Sequence, residues 1–321
     1  MPLAEPISAG GRYGHYVGPG AAIILLALAS ASLLVGVGDR SWDIMVVSRL
    51  PRTLALLLAG ASLAVAGVLM QMVVQNRFVE PTTAGTAQTA GLGMLAVTIL
   101  APDAPIVVKM LCAAAFALAG TAAFLGILRS IQLRSTLTVP LIGIVFGGIV
   151  WAGTTMLAYR YDLLQTLATW NASDFSAVLR GRYELLWIGL GLMIAAYVAA
   201  DRFTIAGLGR DNAVNLGLDY RAVVALALLI VALVTAATVI TVGIIPFLGL
   251  VAPNIVSLIA GDNLRRTLPL VAGLGAGLML ACDLIGRIVR FPFEIPAGTV
   301  MGVVGGGIFL YLLLRKGGRL A

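Results

Sequence analysis

The chain contains 321 residues, of which 60% are hydrophobic and only 11% are charged, and its mean hydropathy is +1.03. Because a soluble domain carries about 25% charged residues, this composition excludes a soluble protein and indicates a polytopic membrane protein. The net charge of +7 does not require a nucleic-acid partner, since lysine and arginine collect in the cytoplasmic loops of membrane proteins.

Apolar stretches divide the chain into a tail and a membrane domain. We expect residues 1–20 to form a short cytoplasmic N-terminal tail and residues 21–321 a single transmembrane domain. No clear cleavage site follows the first span-length stretch, which disfavours a cleaved signal peptide. The pattern predicts an all-α polytopic membrane protein with about ten transmembrane helices, at roughly 21–38, 52–74, 88–101, 106–128, 138–158, 185–200, 222–242, 244–260, 268–288 and 297–314.

The loops between these stretches give the orientation. With ten spans and both ends in the cytoplasm, twelve of the 21 lysines and arginines lie inside, a bias in the direction of the positive-inside rule. Two longer segments are also structured. We predict a short interfacial helix in residues 159–184 on the outside, and two short cytoplasmic helices around Gly207 and Gly209 in residues 201–221.

The second span has two charged residues at one end and a polar loop at the other. Arg49 and Arg52 stand three residues apart at its start, so they share one face of a helix. The segment NRFVEPTTAG, residues 76–85, follows its end. A membrane span with charged residues at one end and a structured polar loop at the other is typical of a transport pathway.

The residues that usually carry catalysis or bind metals are scattered. His15 stands alone in a glycine-rich tail, and Cys112 and Cys282 lie in apolar stretches, where cysteine behaves as a small hydrophobic residue. No lysine of a phosphate-binding loop follows the glycine run 305–307. We therefore expect no enzymatic activity, no metal site and no cofactor.

Five segments form a specific pattern through their order and spacing: SRLPRTLALLLAGASLAVAGVLMQ (48–71), NRFVEPTTAG (76–85), FLGLVAPNIVSLIAGDNLRRTLPL (247–270), ACDLIGR (281–287) and FEIPAGTVMGVVGGGIFLYLLLR (293–315). In this order they resemble the permease family of ABC importers for iron–siderophore complexes and cobalamin. The phrases FVEPTTAGT, DFSAVLRGRYE and FTIAGLGRDNAVNLGL are similar to a narrower branch that handles ferric petrobactin- or anguibactin-type complexes.

The resemblance implies a type II ABC importer permease fold in the bacterial cytoplasmic membrane. Such a permease pairs with a second permease around a central pathway. A heterodimer is favoured over a homodimer, because the narrower branch usually uses two different permeases. Two cytoplasmic ATPase subunits power transport, and an extracytoplasmic siderophore-binding protein delivers the ferric-siderophore cargo.

The resemblance also implies roles for three groups of residues. Arginines at outer helix ends match positions that dock the binding protein, two cytoplasmic loops match the gate, and one polar segment matches the part that couples to the ATPase. The residues are Arg49, Arg52 and Arg287 for docking; Asn76, Phe78, Ser135 and Thr136 for the gate; and Gly207, Gly209, Arg210, Asp211, Asn212, Asn215 and Gly217 for coupling. This chain has Arg77 where the family usually has proline.

Each group also has a simpler interpretation. The outer arginines snorkel and anchor helix ends, the gate loop is an ordinary helix-capping loop, and the coupling segment is a solvated loop. The i,i+4 spacing of Asp283 and Arg287 predicts an intramembrane salt bridge, which competes with docking by Arg287.

Two alternative functions stay open at this point. Cobalamin or haem is the alternative cargo within the same class, and an ion-coupled secondary transporter is an alternative class. A secondary transporter usually places acidic or polar relay residues at mid-membrane. The acidic residues here lie mostly in loops or near predicted helix ends, which favours the importer.

Overall fold

The computed structural model describes residues 14–36, 42–131 and 137–317, with side chains between residues 20 and 314, and all regular structure in these ranges is helical. A π-helical turn, Met45–Arg49, joins the second helix to the third. The helices are α1 (Gly14–Leu34), α2 (Trp42–Ile44), α3 (Leu50–Val74), α4 (Thr86–Leu100), α5 (Ile106–Ser130), α6 (Thr138–Arg160), α7 (Leu164–Ala172), α8 (Leu186–Val198), α9 (Ala200–Ala206), α10 (Arg210–Asn215), α11 (Tyr220–Thr241), α12 (Leu248–Ala260), α13 (Leu264–Val289) and α14 (Ala297–Gly317).

The ten apolar stretches of the sequence correspond to ten helical segments in the described part of the chain. Six are long and apolar enough to cross a membrane, and α8 with α9, which meet at a bend of 66°, can form a seventh. The other three segments are shorter apolar helices, namely α4, α12 and residues Gly20–Leu34 of α1. The predicted all-α, multi-span architecture is confirmed.

The short helices predicted in the connecting segments are present, and their position relative to the membrane stays a prediction. The predicted interfacial helix is α7, and the two predicted cytoplasmic helices are α9 and α10. The backbone N–H of Ile244 donates to the carbonyl of Trp170 at 3.1 Å, which fixes the end of α7 against the break between α11 and α12. Connecting segments therefore pack on the helix bundle.

Helix α3 is the centre of the bundle. Of the 18-residue apolar stretch in the span Trp42–Val74 that contains this helix, 83% is buried inside the chain. Glycines let neighbouring helices approach α3 closely. A Cβ atom built on Gly67 would lie 2.0 Å from the carbonyl oxygen of Gly249 in α12, and one built on Gly60 would lie 2.7 Å from that of Gly275 in α13. Any larger residue at these positions would push the helices apart.

Helices α6 and α14 lie at the opposite extreme of burial. Only 22% and 28% of the 18-residue apolar stretches in these two helices are buried inside the chain. Their exposed side chains include apolar residues such as Ile149 and Val303. Two spans with so little internal burial are the surfaces most available to lipid or to another membrane subunit.

Candidate functional sites

Two of the three predicted docking arginines turn inward and hold the end of α1. Arg49 and Arg287 are 7% and 5% exposed. Arg49 donates from Nη1 to the carbonyl of Leu33 at 2.9 Å, and Arg287 donates from Nη1 to the carbonyls of Ser32 and Val35 at 2.9 and 2.8 Å. The last carbonyls of a helix lack intrahelical partners and carry partial negative charge, so both guanidinium groups stabilise this helix end.

The third arginine, Arg52, joins two acidic residues. Its Nε and Nη2 donate to Oδ1 of Asp283 at 3.1 and 2.7 Å, while Nη1 donates to Oε2 of Glu294 at 2.7 Å. Asp283 is 1% exposed and also forms an ion pair with Arg287, which confirms the salt bridge predicted from their i,i+4 spacing. The acidic group is thus held between two cations, as a buried charge requires.

The structure brings the three arginines to one region but leaves their accessibility unequal. Arg52 retains 12% side-chain exposure, and its partner Glu294 retains 28%. The bond from Nη1 of Arg52 to Glu294 is exposed, whereas the bonds from Arg52 to Asp283 are partly buried. The buried contacts of the other two arginines are those of helix-end anchors.

The predicted gate residues Asn76 and Phe78 lie in the loop between α3 and α4. Gln75 ends α3 in the left-handed conformation, with φ of 55°. The Asn76 side-chain carbonyl accepts a hydrogen bond from the backbone N–H of Phe78 at 2.8 Å, and both residues are buried. The Phe78 ring meets the ring of Phe309 in α14 edge-on, with centroids 6.0 Å apart. Ser135 and Thr136, the other predicted gate residues, lie outside the described residues.

Arg77, which stands where the family usually has proline, ties this loop to the far end of α12. Its carbonyl accepts from the side-chain amide of Asn254 at 2.8 Å. Its guanidinium donates to Oγ of Ser257 at 2.8 Å and to Oδ2 of Asp262 at 2.5 Å. The substitution therefore adds side-chain contacts that a proline could not make.

Glu80 is a residue of this loop that the sequence analysis did not single out. It is 0% exposed, and its Oε1 accepts hydrogen bonds from the hydroxyl of Thr82 and from the backbone N–H of Phe247. Burial, which outweighs these hydrogen bonds, raises the pKa of the Glu80 carboxyl to about 7. One local indication of Glu80 was visible in the sequence, an acidic residue beside Pro81 in a stretch without other charges. No nearby residue indicated that its partner would be the backbone of Phe247.

The predicted coupling segment combines ordinary and glycine-specific backbone. Gly209 and Gly217 adopt positive φ angles of 98° and 79°, whereas Gly207 is helical with φ of −62°. Between them, α10 presents its polar side chains to solvent, namely Arg210, Asp211, Asn212 and Asn215. Two of the three glycines are therefore required by the turns at the ends of α10.

A cavity of about 500 Å³ is lined both by the α3–α4 loop and by the segment after α9, which carry the predicted gate and coupling residues. Asn76 and Arg77 line it from the loop, and Gly207 and Leu208 line it from the segment after α9. Two regions that the sequence places far apart thus share one space, and a movement of either changes the volume available to the other.

A second cavity, a groove of about 600 Å³, runs between α4, α6 and α14. Thr82, Gln88, Asn171 and Thr299 give it polar groups beside an apolar wall. Oε1 of Gln88 is buried and has no hydrogen-bond partner among the described residues. Since buried polar atoms are usually satisfied, this oxygen is available to water or to a ligand in the groove.

No group of three or more His, Cys, Asp and Glu residues within the described ranges could hold a metal ion. Both cysteines are free thiols; Cys282 is buried and Cys112 is partly exposed. The polar groups of the described sites thus consist of arginines, amides, hydroxyls and isolated acids, which suit binding and conformational change.

The sequence and the fold both have relatives among known proteins. The petrobactin import system permease protein YclN of Bacillus subtilis is 46% identical over 92% of this chain and 96% of that protein. The ferric-anguibactin transport system permease protein FatD of Vibrio anguillarum is 42% identical over 88% of this chain and 90% of that protein.

The structural comparison confirms the fold predicted from the sequence. A solved structure that shows an inward-facing conformation of a metal-chelate type ABC transporter aligns with this chain at a TM-score of 0.77 and 23% identity. The alignment covers 93% of this chain and 99% of that chain. The shared fold is that of a type II ABC importer permease. The sequence model of the FecCD transport family matches residues 20–315, and with relatives above 40% identity over most of their length, this chain belongs to that family.

Proposed function

We propose that this chain is the permease subunit of an ATP-driven importer that carries ferric complexes of petrobactin- or anguibactin-type siderophores across the bacterial cytoplasmic membrane. The observation that carries the proposal is the identity of 46% and 42%, over most of both chains, to permeases named for these two cargoes. The chain forms the membrane passage, and separate ATPase subunits hydrolyse ATP.

An uptake experiment tests the cargo. The chain and its partner subunits are expressed in cells that lack their own siderophore permeases, and uptake of labelled ferric petrobactin, ferric anguibactin, cobalamin and haem is measured. We expect uptake of at least one of the two ferric siderophores, and no uptake of cobalamin or haem. Uptake restricted to cobalamin or haem would transfer the proposal to the alternative cargo.

Co-purification separates the importer from an ion-coupled transporter. We expect the tagged chain to bring down an ATPase and a second permease. The described structure supports this class, because the acid within α13, Asp283, is neutralised by two arginines and is poorly placed for a proton relay. A lone oligomer that transports without an ATPase would contradict the proposal.

The second permease covers the exposed faces of α6 and α14 and closes the groove between them into the pathway. Gly148 of α6 lines this groove, and a Cβ built there meets nothing within 4 Å, so another helix can approach closely. We favour a related subunit over an identical one. Gly148→Leu should reduce recovery of the second permease, whereas Gly126→Leu on α5, equally free of neighbours within this chain, should not.

Coupling to the ATPase runs from α9 and α10 through the shared cavity to the gate loop. Gly209 has φ of 98° and ψ of 161°, a conformation that is essentially restricted to glycine. Gly209→Leu should therefore leave ATP hydrolysis intact but uncouple it from uptake. Gly191→Leu, whose Cβ meets nothing within 4 Å, is the control, and normal uptake by the Gly209 variant would contradict the coupling role.

Docking of the binding protein centres on Arg52. Charge complementarity accelerates and orients the encounter of two proteins. Among Arg49, Arg52 and Arg287, Arg52 is favoured because its Nη1 forms an exposed hydrogen bond. Reversing Arg49 or Arg287 would break their contacts with α1, so the test uses Arg52→Gln, which keeps a polar side chain beside Asp283 while Arg287 still neutralises that acid. We expect weaker association with the binding protein and a smaller dependence on salt; unchanged affinity at low salt would exclude this role.

A further inference from the structure

Three arginines line a groove at the end of the bundle that carries α10. Arg129 lies in the last turn of α5, Arg210 begins α10 and Arg221 lies in the first turn of α11. Together with Tyr220 they border a groove of about 700 Å³. All three arginines are exposed, and none forms a hydrogen bond or ion pair within the described residues. The groove therefore offers three guanidinium groups without an internal anion.

Two arginines at this end of the bundle, Arg77 and Arg265, are neutralised by the chain itself. Arg77 pairs with Asp262, and Arg265 pairs with Asp201. The three arginines of the groove have no such internal acid in the described part of the chain and border one groove together, although acidic residues such as Asp219 lie close in sequence. Asp219 instead caps α11 by accepting from the backbone N–H of Ala222 at 3.1 Å.

The rest of the groove is apolar and is built from the faces of membrane spans. On α11, Arg221 and Leu228 lie seven residues apart and so share one face of the helix, while on α5 Leu125 and Arg129 are one turn apart. The groove thus has a cationic rim at the helix ends and an apolar wall toward the bilayer core, formed by Val73, Val74, Leu125, Leu128, Val224, Ala225 and Leu228.

We propose that this groove binds an anionic phospholipid, with its phosphate against the arginines and an acyl chain along the apolar wall. Guanidinium groups match the geometry of phosphate oxygens, and basic pockets between transmembrane helices at the membrane surface bind anionic head groups. A free phosphate ion would satisfy the rim but leave the wall unused, whereas a lipid fits both parts. The bound lipid also contacts Arg210 and so links the bilayer to the coupling segment.

Native mass spectrometry of the purified full chain tests the proposal without the ATPase. The chain is equilibrated with phosphatidylglycerol or phosphatidylcholine in detergent, and the retained lipid is measured. We expect tighter binding of phosphatidylglycerol, and a roughly 30-fold loss in Arg129→Gln/Arg221→Gln, which corresponds to about 1 kcal/mol for each arginine removed. Arg129→Lys/Arg221→Lys should retain much of the binding and shows that the sites tolerate substitution.

A matched variant separates a defined site from general charge attraction. Arg202→Gln/Arg266→Gln removes the same charge from exposed arginines outside the groove and should bind phosphatidylglycerol as the unmodified chain does. Equal losses in both double variants, or no loss in the groove variant, would overturn the proposal. Complete displacement of the lipid by inorganic phosphate at equal concentration would also overturn it, because the apolar wall would then contribute nothing.

Discussion

The carboxylate of Glu80 accepts a hydrogen bond of 2.7 Å from the backbone N–H of Phe247, although 167 residues separate them. Phe247 immediately precedes α12 and provides no side-chain cap, so the first N–H groups of that helix need another partner. Glu80 supplies an acceptor from the α3–α4 loop. The Phe247 ring also stacks on Phe309, which contacts Phe78 of the same loop. Loop, helix start and α14 therefore form one connected unit.

Removing the Glu80 carboxylate should destabilise this unit. In Glu80→Ala, the partly buried N–H of Phe247 at the start of α12 loses its acceptor, and we expect a loss of about 1–3 kcal/mol in the free energy of unfolding. Glu80→Gln keeps an acceptor oxygen at the same distance and should lose less. Thermal unfolding of the two purified variants in detergent measures the difference, and equal stability of Ala and Gln variants would contradict the contact.

The stability of the protein should also depend on pH through Glu80. Its pKa rises from an ordinary value of 4.5 to about 7 in the folded chain, so the folded state binds more protons than the unfolded state between these values. Stability then falls as pH rises from about 4.5 to 7 and levels off above that range. Glu80→Gln should lack this contribution. The difference between the two unfolding profiles across this pH range isolates it, and parallel profiles would refute it.

The two acids that bind Arg52 should differ strongly in their effect on stability. Asp283 is buried and neutralises both Arg52 and Arg287. Arg52 keeps Glu294 in Asp283→Asn, but the buried Arg287 loses its counter-charge, and the variant should cost about 3–5 kcal/mol. Glu294 is more exposed, and Glu294→Gln should cost less than about 1 kcal/mol. Unfolding temperatures of the two variants provide the comparison, and similar losses would show that burial does not govern this cluster.

Glu294 should also compete with the binding protein for Arg52. It occupies Nη1, the donor of Arg52 whose hydrogen bond is exposed, so Glu294→Gln frees this donor for an acidic partner. We expect faster association with the binding protein at low salt, measured by surface binding kinetics. Slower or unchanged association in this variant, combined with a loss in Arg52→Gln, would mean that Arg52 docks without exchanging its partner.

Close packing at the centre of the bundle gives a further prediction. A Cβ atom at Gly67 would lie 2.0 Å from a backbone oxygen of α12, and neither backbone can yield easily. Gly67→Ala should therefore destabilise the chain by about 1–3 kcal/mol through overpacking, as seen in thermal unfolding. Gly191→Ala enters open space and should leave the unfolding temperature nearly unchanged; equal behaviour would contradict the close approach.

Local features of the sequence were sufficient for the helices. A backbone in the bilayer must satisfy its own hydrogen bonds, so apolar stretches become helices wherever they occur. The same locality explains why α7, α9 and α10 and the Asp283–Arg287 pair could be predicted, since each depends on residues within a few turns of one another. The Arg77 substitution was visible too, but not the contacts of its side chain with α12.

The sequence by itself determined that this is an all-α membrane protein, and its motifs indicated the family. Only the tertiary structure decided where the charged side chains point: Arg49 and Arg287 toward the end of α1, Glu80 toward α12, and three arginines around a groove between α5, α10 and α11. The physical reason is that a buried or interfacial charge is stabilised by whichever polar group the fold brings within a few ångströms, and that group can lie more than a hundred residues away in the chain.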